Sequence, residues 1–179
     1  MHRVGVALAG LGLALILFSS GTAQRQREAL TDPEIDQLRD TAVEPDLRLK
    51  LYVTFARARL AKLEEVRSDP KTADRGRETH DRLQDFLDVY DEMNDNIDTY
   101  VGRKSDLRKV LKTVIEADTE FQAKLRALRD ASSPAKEDTK QYEFLLSSAL
   151  ETVDSSAQDH RQLLAEQQEA AKQKKKNKS

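Results

Sequence analysis

The residues from Leu83 to Val101 constrain the fold most, because their apolar side chains recur every three or four positions. These positions are Leu83, Phe86, Leu87, Tyr90, Met93, Ile97, Tyr100 and Val101. That spacing places them on one side of an α-helix. The remaining positions are rich in acidic residues, namely Asp81, Asp85, Asp88, Asp91, Glu92, Asp95 and Asp98. Such a helix is stable only when its apolar side packs on other helices, so the stretch predicts a bundle.

Three other segments carry the same periodicity. We expect four long helices, over residues 45–67, 77–101, 106–130 and from 135 to 172 or beyond. The inward positions of the other three are Leu49, Val53, Ala56, Leu60, Leu63, Leu107, Leu111, Val114, Phe121, Leu125, Leu128, Tyr142, Leu145, Leu146, Ala149, Val153, Ala157 and Leu164. The short connection at 103–105 predicts an antiparallel hairpin between the second and third helices. The fold class is therefore all-α, an up-down-up-down antiparallel four-helix bundle with a short N-terminal helix, in a domain over residues 32–171.

The predicted helix ends depend on a few residues with special backbone preferences. Thr31 and Glu34 form a capping box that begins the short helix, and Pro45 separates this helix from the first long one. We expect Gly102 to supply the left-handed residue that ends the second long helix. Ser105 is then the expected N-cap of the third.

Residues 1–23 have the layout of a secretory signal peptide. A positive start is followed by an apolar run over 4–18 and by small residues at Gly21 and Ala23. Cleavage there leaves a mature chain that starts at Gln24, and we expect residues 24–31 to be a flexible linker. An uncleaved membrane anchor is the alternative, but this run of 15 residues is shorter than the roughly 20 that a spanning helix needs. We therefore expect an exported protein, periplasmic or secreted.

The sequence contains few of the residues that support catalysis or metal binding. It has no cysteine, which excludes disulfides, thiolate metal sites and cysteine nucleophiles. Its histidines are His2, His80 and His160, and none belongs to the Glu-x-x-His motif of di-iron bundles. It also has no glycine-rich phosphate loop and no basic-aromatic array typical of nucleic-acid binding. We therefore expect no enzyme activity, no cofactor or metal and no nucleic-acid partner; a bundle enzyme or metal carrier is the disfavoured alternative.

His160 is a polar residue that the periodicity places on an apolar side. It follows Val153 by seven residues and lies one turn after Ser156. A Ser–His pair favours hydrolysis only when an orienting acid and an oxyanion site accompany it, and the sequence shows neither. We expect His160 to be a polar residue that fixes the register of its helix.

Charge is distributed unevenly along the chain, whose formal net charge is −2. The acidic positions expected to bind a protein partner are Asp85, Asp88, Asp91, Glu92, Asp95 and Asp98. The alternatives for this face are a solvated surface, weak attraction of divalent cations, or neutralisation by basic residues at the start of the third long helix. Residues 172–179 form a predicted flexible tail that can bind polyanions or an anionic membrane surface through Lys172, Lys174, Lys175, Lys176 and Lys178.

One short motif resembles a known family. The Leu30-Thr31 helix start, behind a signal peptide and before a charged helical body, is similar to the periplasmic Spy/CpxP-type stress proteins and chaperones. Those proteins repeat a Leu-Thr-x-x-Gln pattern, whereas this chain has Glu34 at the last position and no second copy. No functional residue transfers from the resemblance. The sequence favours a non-enzymatic protein that binds partners through charged helix faces, as a scaffold, an adaptor or a chaperone-like holder; the alternative is an envelope component attached through its lysine-rich tail.

Overall fold

A computed structural model describes residues 30–132 and 137–177, and the regular secondary structure of this part of the chain is all helical, with no strand. The all-α prediction is confirmed. The helices are α1 (Asp32–Asp40), α2 (Pro45–Ser68), α3 (Arg75–Gly102), α4 (Arg108–Ala131), α5 (Glu137–Lys140) and α6 (Glu143–Lys176). The predicted signal peptide over 1–23, most of the predicted linker and Lys178 lie outside the described residues.

The first two helix starts follow the predicted local chemistry. The backbone N–H of Thr31 donates to Glu34 Oε2 at 2.8 Å, which is one half of the capping box. Pro45 opens α2, where its missing N–H leaves no helical hydrogen bond unmade. The predicted linker ends differently from expectation, because Leu30 is 8% exposed and packs in the core. Leu30 is therefore a packed core residue rather than part of a flexible linker.

The junction between α3 and α4 departs from the predicted caps. Gly102 is the last helical residue of α3, and the left-handed backbone occurs instead at Lys104, with φ 59°. The residue before α4 is Leu107, so Ser105 is not the N-cap. The carbonyl oxygen of Ser105 accepts a hydrogen bond from Gln167 Nε2 of α6 at 3.1 Å. The first backbone N–H of α4, that of Arg108, donates instead to Asp106 Oδ1 at 3.2 Å.

Pairs of helices are held in register by side chains that meet between them. Arg48 Nε donates to Asn96 Oδ1 at 2.8 Å, and Tyr52 Oη donates to Glu92 Oε2 at 3.2 Å, so α2 and α3 are antiparallel. Arg126 pairs with Asp154 at 2.8 Å between α4 and α6, which are also antiparallel. A second set of contacts joins α2 to α4 and α3 to α6.

Consecutive helices α3 and α4 lie across the bundle from each other rather than side by side, which corrects the expected hairpin. In the described residues their backbones do not pack directly, and long side chains bridge the space between them. The rings of Phe86 and Phe121 meet edge to face with centroids 5.3 Å apart. The ion pairs of the basic residues at the start of α4 also differ from expectation, because Arg108 pairs with Asp106 and Lys109 with Asp46.

The core contains the inward positions predicted for the four long helices, apart from Val101 at the end of α3 and from Leu145 and Leu164 of α6, which are partly buried against it. Buried side chains run along each of them, and the largest that are fully buried include Tyr52, Tyr90, Phe86 and Phe121. Val101 is 37% exposed. The interior also holds polar residues that the periodicity did not identify, and one of them is the carboxylate of Asp118.

The C-terminal part of the chain begins with the short helix α5 rather than a continuous helix from residue 135. Gly76 of α3 allows α5 to approach, because a Cβ at this position would lie 2.8 Å from the carbonyl oxygen of Asp138. Tyr142 then anchors the start of α6, with its hydroxyl 2.8 Å from Ser132 Oγ. The helix continues to Lys176, so most of the segment predicted as a flexible tail is helical.

Candidate functional site

Four of the predicted acidic site residues form one continuous surface on α3, which we name the acidic ridge: Asp88, Asp91, Asp95 and Asp98. They follow each other at steps of three or four residues, so their carboxylates share one side of the helix. Asp91, Asp95 and Asp98 are exposed and Asp88 is half-buried. The amphipathic pattern requires this placement, since the opposite side of α3 carries the buried residues Phe86, Met93 and Ile97.

Each carboxylate of the ridge makes ionisation of its neighbours less favourable, because like charges repel each other. Partial desolvation and the charges of Asp88 and Asp95 raise the pKa of Asp91. The only neutral donor that the structure places on the ridge, among the residues described, is Gln84, whose Nε2 donates to Asp88 Oδ1 at 2.7 Å. Within the same described ranges no basic side chain forms an ion pair with Asp91, Asp95 or Asp98. The ridge is therefore a band of negative charge that the described part of the chain does not neutralise.

Asp85 and Glu92, the other two predicted site residues, point away from the ridge. Asp85 accepts a hydrogen bond from Arg82 at 2.7 Å on its own helix. Glu92 turns towards α2 and accepts from the hydroxyl of Tyr52. It also borders a cleft of about 380 Å³ that Leu30 and Leu38 line. The six acidic residues predicted as one set are therefore split between a ridge of four and two side chains with internal partners.

The geometry gives no support to a metal centre on the ridge. Across residues 30–132 and 137–177 there is no group of three or more His, Cys, Asp or Glu side chains arranged to hold a metal ion. Successive carboxylates along the ridge are separated by a helical turn, whereas a calcium site takes its oxygen ligands from a loop that wraps the ion. The ridge is suited to a partner with several separated positive charges.

A second candidate site lies inside the bundle, where three polar side chains from three helices join in a chain. Tyr90 of α3 donates from its hydroxyl to Asp118 Oδ1 of α4 at 2.8 Å. His160 Nδ1 of α6 lies 2.9 Å from the other carboxylate oxygen, Asp118 Oδ2. Tyr90 and Asp118 are fully buried and His160 is 4% exposed. We name this set the buried polar chain.

Asp118 is the orienting acid that the sequence analysis did not find for His160. Burial, with the added effect of the Asp118 charge, raises the pKa of Tyr90, so the phenol stays a neutral hydrogen-bond donor. The Ser156 hydroxyl accepts from Asn94 Nδ2 at 3.0 Å, and no described hydrogen bond joins it to His160. Because a substrate in water has no access to these buried groups, their geometry supports a structural role that fixes helix register.

One signal in the sequence marks Asp118 as buried. It follows Val114 by four residues and precedes Phe121 by three, so it occupies an inward position of α4. The buried positions Leu111, Val114, Phe121 and Leu125 confirm that periodicity. An acidic residue at such a position is expected to have a partner, and only the folded chain identifies His160 and Tyr90 as those partners.

The lysines of the predicted polyanion-binding tail extend the C-terminal end of α6. Lys172, Lys174, Lys175 and Lys176 are all exposed. Lys172 forms an ion pair with Glu169 at 2.6 Å on its own helix. Lys178 lies beyond the described residues.

Comparison of the chain with known protein families, with characterised proteins and with solved structures finds no match in any of the three. None of the helices in the described ranges is both long and apolar enough to cross a membrane.

Proposed function

We propose that this protein is an exported, non-enzymatic helical-bundle protein that binds a basic protein partner through the acidic ridge. A scaffold, an adaptor and a chaperone-like holder are the roles consistent with such binding. The proposal includes an up-down-up-down arrangement of the four long helices, α2, α3, α4 and α6. It is supported by the antiparallel pairing of α2 with α3 and of α4 with α6. Export is supported by the signal-like pattern of residues 1–23.

The observation that carries the proposal is a run of exposed carboxylates along one helix without ion-pair partners in the described residues. Elsewhere several acidic side chains have basic partners on neighbouring helices, although single exposed residues such as Glu116 lack one within the described ranges. Examples of such pairs are Arg57 with Glu120 at 2.7 Å and Lys124 with Glu64 at 2.5 Å. The exposed carboxylates of the ridge have no such partner in the described residues. A partner that presents lysine or arginine side chains at helical spacing would supply the missing charges.

The ridge also has a cost in stability that partner binding would explain. Like charges three or four residues apart on a helix destabilise it by about 0.2–0.5 kcal/mol per pair. Asp91 has such neighbours on both sides, in Asp88 and Asp95. Repulsion of this kind is relieved when a cationic surface approaches, so part of the binding free energy comes from charges already positioned in the free protein.

The experiment is affinity purification from the native cell, with the protein expressed from its complete sequence. We compare the parent with the ridge variant Asp91→Asn/Asp95→Asn/Asp98→Asn. The expected result is a protein that co-purifies with the parent at low ionic strength and is lost at high salt and from the ridge variant. Salt acts in this way because the Debye length falls from about 10 Å at 0.1 M to about 3 Å at 1 M.

A matched control separates the ridge from a general loss of negative charge. Asp40, Glu116 and Glu151 are exposed acidic residues on three other helices, and the variant Asp40→Asn/Glu116→Gln/Glu151→Gln removes the same charge. The proposal expects this variant to retain the partner. Equal loss from both variants, or retention by both, would show that the ridge is not the binding surface.

A further inference from the structure

The loop between α3 and α4 and the C-terminal end of α6 are held together at one end of the bundle. Gln167 of α6 makes both connections. Its side-chain oxygen accepts from the backbone N–H of Leu107 at 2.9 Å, and its Nε2 donates to the carbonyl oxygen of Ser105. Because both the oxygen and the nitrogen of the Gln167 side-chain amide are used, the loop has a defined position relative to α6.

This connection brings two groups of basic residues, separated by about sixty positions in the chain, to the same end of the bundle. We name the two groups together the basic end. Its members are Arg103, Lys104, Arg108, Lys109, Lys172, Lys174, Lys175 and Lys176. Lys104 and Arg108 line a cleft of about 370 Å³ together with Lys174, so these members of the two groups are neighbours in space. The lysines of the predicted tail are therefore only part of a larger basic region.

The carboxylate of Asp106 lies within the basic end and already interacts with basic neighbours. Hydrogen bonds and the charge of Arg108, with a contribution from Lys174, lower the pKa of Asp106 to about 2. Arg108 Nε donates to Asp106 Oδ1 at 2.8 Å. Asp106 thus holds Arg108 in place and offsets its positive charge. The charges of Lys172 and Lys109 are likewise offset, by Glu169 and Asp46 respectively.

We propose that the basic end binds the surface of an anionic phospholipid bilayer, through the α3–α4 loop and the end of α6 together. This inference is independent of the acidic ridge. The residues are mostly lysines, and ammonium groups act as hydrated point charges rather than as the planar forks that clamp a single phosphate. The chemistry fits a surface of many negative headgroups, on which each basic residue adds separately to the affinity.

The positions of the two charged surfaces determine how the protein would sit on such a bilayer. The lysines lie at the end of α6, and Arg103 and Lys104 lie just beyond the C-terminal end of α3. The ridge lies along the side of α3, where an anionic surface repels it. The bound protein therefore has its basic end on the headgroups and its ridge turned towards the aqueous side, within reach of a protein partner.

The test is vesicle sedimentation with protein expressed from its complete sequence and purified. One set of vesicles contains phosphatidylcholine alone, and the other contains phosphatidylcholine with phosphatidylglycerol. The variants are Arg103→Gln/Lys104→Gln in the loop and Lys174→Gln/Lys176→Gln in α6. A control variant, Lys71→Gln/Arg77→Gln, removes two exposed charges at the other end of α3, about 40 Å away at 1.5 Å per residue.

We expect binding to the anionic vesicles only. Each of the two basic-end variants should lose more than about tenfold in affinity for these vesicles, since one basic residue near an anionic surface raises the affinity about fivefold. The control variant should bind like the parent. Loss in the α6 variant alone would overturn the composite surface. Equal binding to neutral vesicles, or binding of soluble polyphosphate with no binding to vesicles, would overturn the bilayer as the ligand. None of these results depends on whether the ridge binds a protein.

Discussion

Replacement of His160 by leucine tests the buried polar chain most severely. In the parent, Asp118 accepts hydrogen bonds from Tyr90 and from the ring of His160, and all three groups are buried. His160→Leu leaves the carboxylate of Asp118 in the core, and among the described hydrogen bonds only the one from the Tyr90 hydroxyl remains. Loss of one hydrogen bond to a buried carboxylate costs about 1.5–3 kcal/mol, a large part of the 5–15 kcal/mol by which a typical domain is stable.

The complementary variant removes the polar chain as a whole. In Tyr90→Phe/Asp118→Ala/His160→Leu no buried hydroxyl, carboxylate or imidazole of the chain remains without a partner. Apolar replacement of a complete buried network is often nearly neutral, so the triple variant should be more stable than His160→Leu alone although it carries two additional changes.

Urea unfolding at pH 7, followed by far-ultraviolet circular dichroism, measures these free energies of unfolding. His80→Leu is the control, because His80 is half-exposed and contacts only its neighbour Asp81 in the described hydrogen bonds, at 3.4 Å. Surface changes of this kind fall within about 0.5 kcal/mol. If His160→Leu costs no more than His80→Leu, or if the triple variant loses the sum of its single changes, the buried polar chain does not exist as described.

Three further predictions concern individual residues. At pH 7 and low salt Asp91→Asn should be more stable than the parent by about 0.2–0.5 kcal/mol per relieved pair. Because the folded-state pKa of Asp91 is raised, the stability advantage of the variant should fade as the pH falls through that raised pKa. The advantage should vanish below the ordinary pKa of 3.8, where Asp91 is protonated in both the folded and the unfolded state. Burial opposes ionisation of Glu34, but hydrogen bonds from Arg59 and Thr31 outweigh it and lower the pKa of Glu34. Denaturation curves should show that Glu34→Gln lowers the free energy of unfolding by about 2 kcal/mol above pH 4.5. The loss should become progressively smaller as the pH falls through the lowered pKa. Thermal unfolding should show that Gly76→Ala costs about 1–3 kcal/mol because its Cβ meets backbone 2.8 Å away, whereas Gly102→Ala, with no atom within 4 Å, should be neutral or stabilising by up to about 1 kcal/mol; equal effects at the two glycines would contradict the close approach of α5.

Apolar periodicity was sufficient to predict the helices and their buried sides. Each inward position proposed for α4 is buried, from Leu107 to Leu128, because a helical repeat over more than twenty residues has few alternative interpretations. The split of α5 from α6 was not predicted, since the turn between them depends on how Tyr142 anchors against Ser132 of another segment.

The contacts between helices were predicted less well, for physical reasons that particular residues illustrate. Loop length indicates that α3 and α4 run in opposite directions, but it does not determine which helices lie side by side. Ser105 has the side chain of an N-cap, yet its carbonyl oxygen binds Gln167, which is distant in sequence. Glu92 belongs to the acidic pattern of α3, but the position of α2 brings it to Tyr52. Long-range partners of this kind are not encoded in local spacing.

The central claim is that the ridge faces outward, unpaired, as a surface for a basic protein partner. Site-specific photo-crosslinking in the living cell tests it most directly, with a photoreactive amino acid placed in turn at the positions of Asp91, Asp95 and Asp98. Parallel experiments place it at the positions of Glu116 and Glu151, which are exposed on α4 and α6. We predict one discrete crosslinked product from the three ridge positions, weakened by high salt, and none from the other two. Crosslinks of equal strength from all five positions, or from none of them, would contradict the claim.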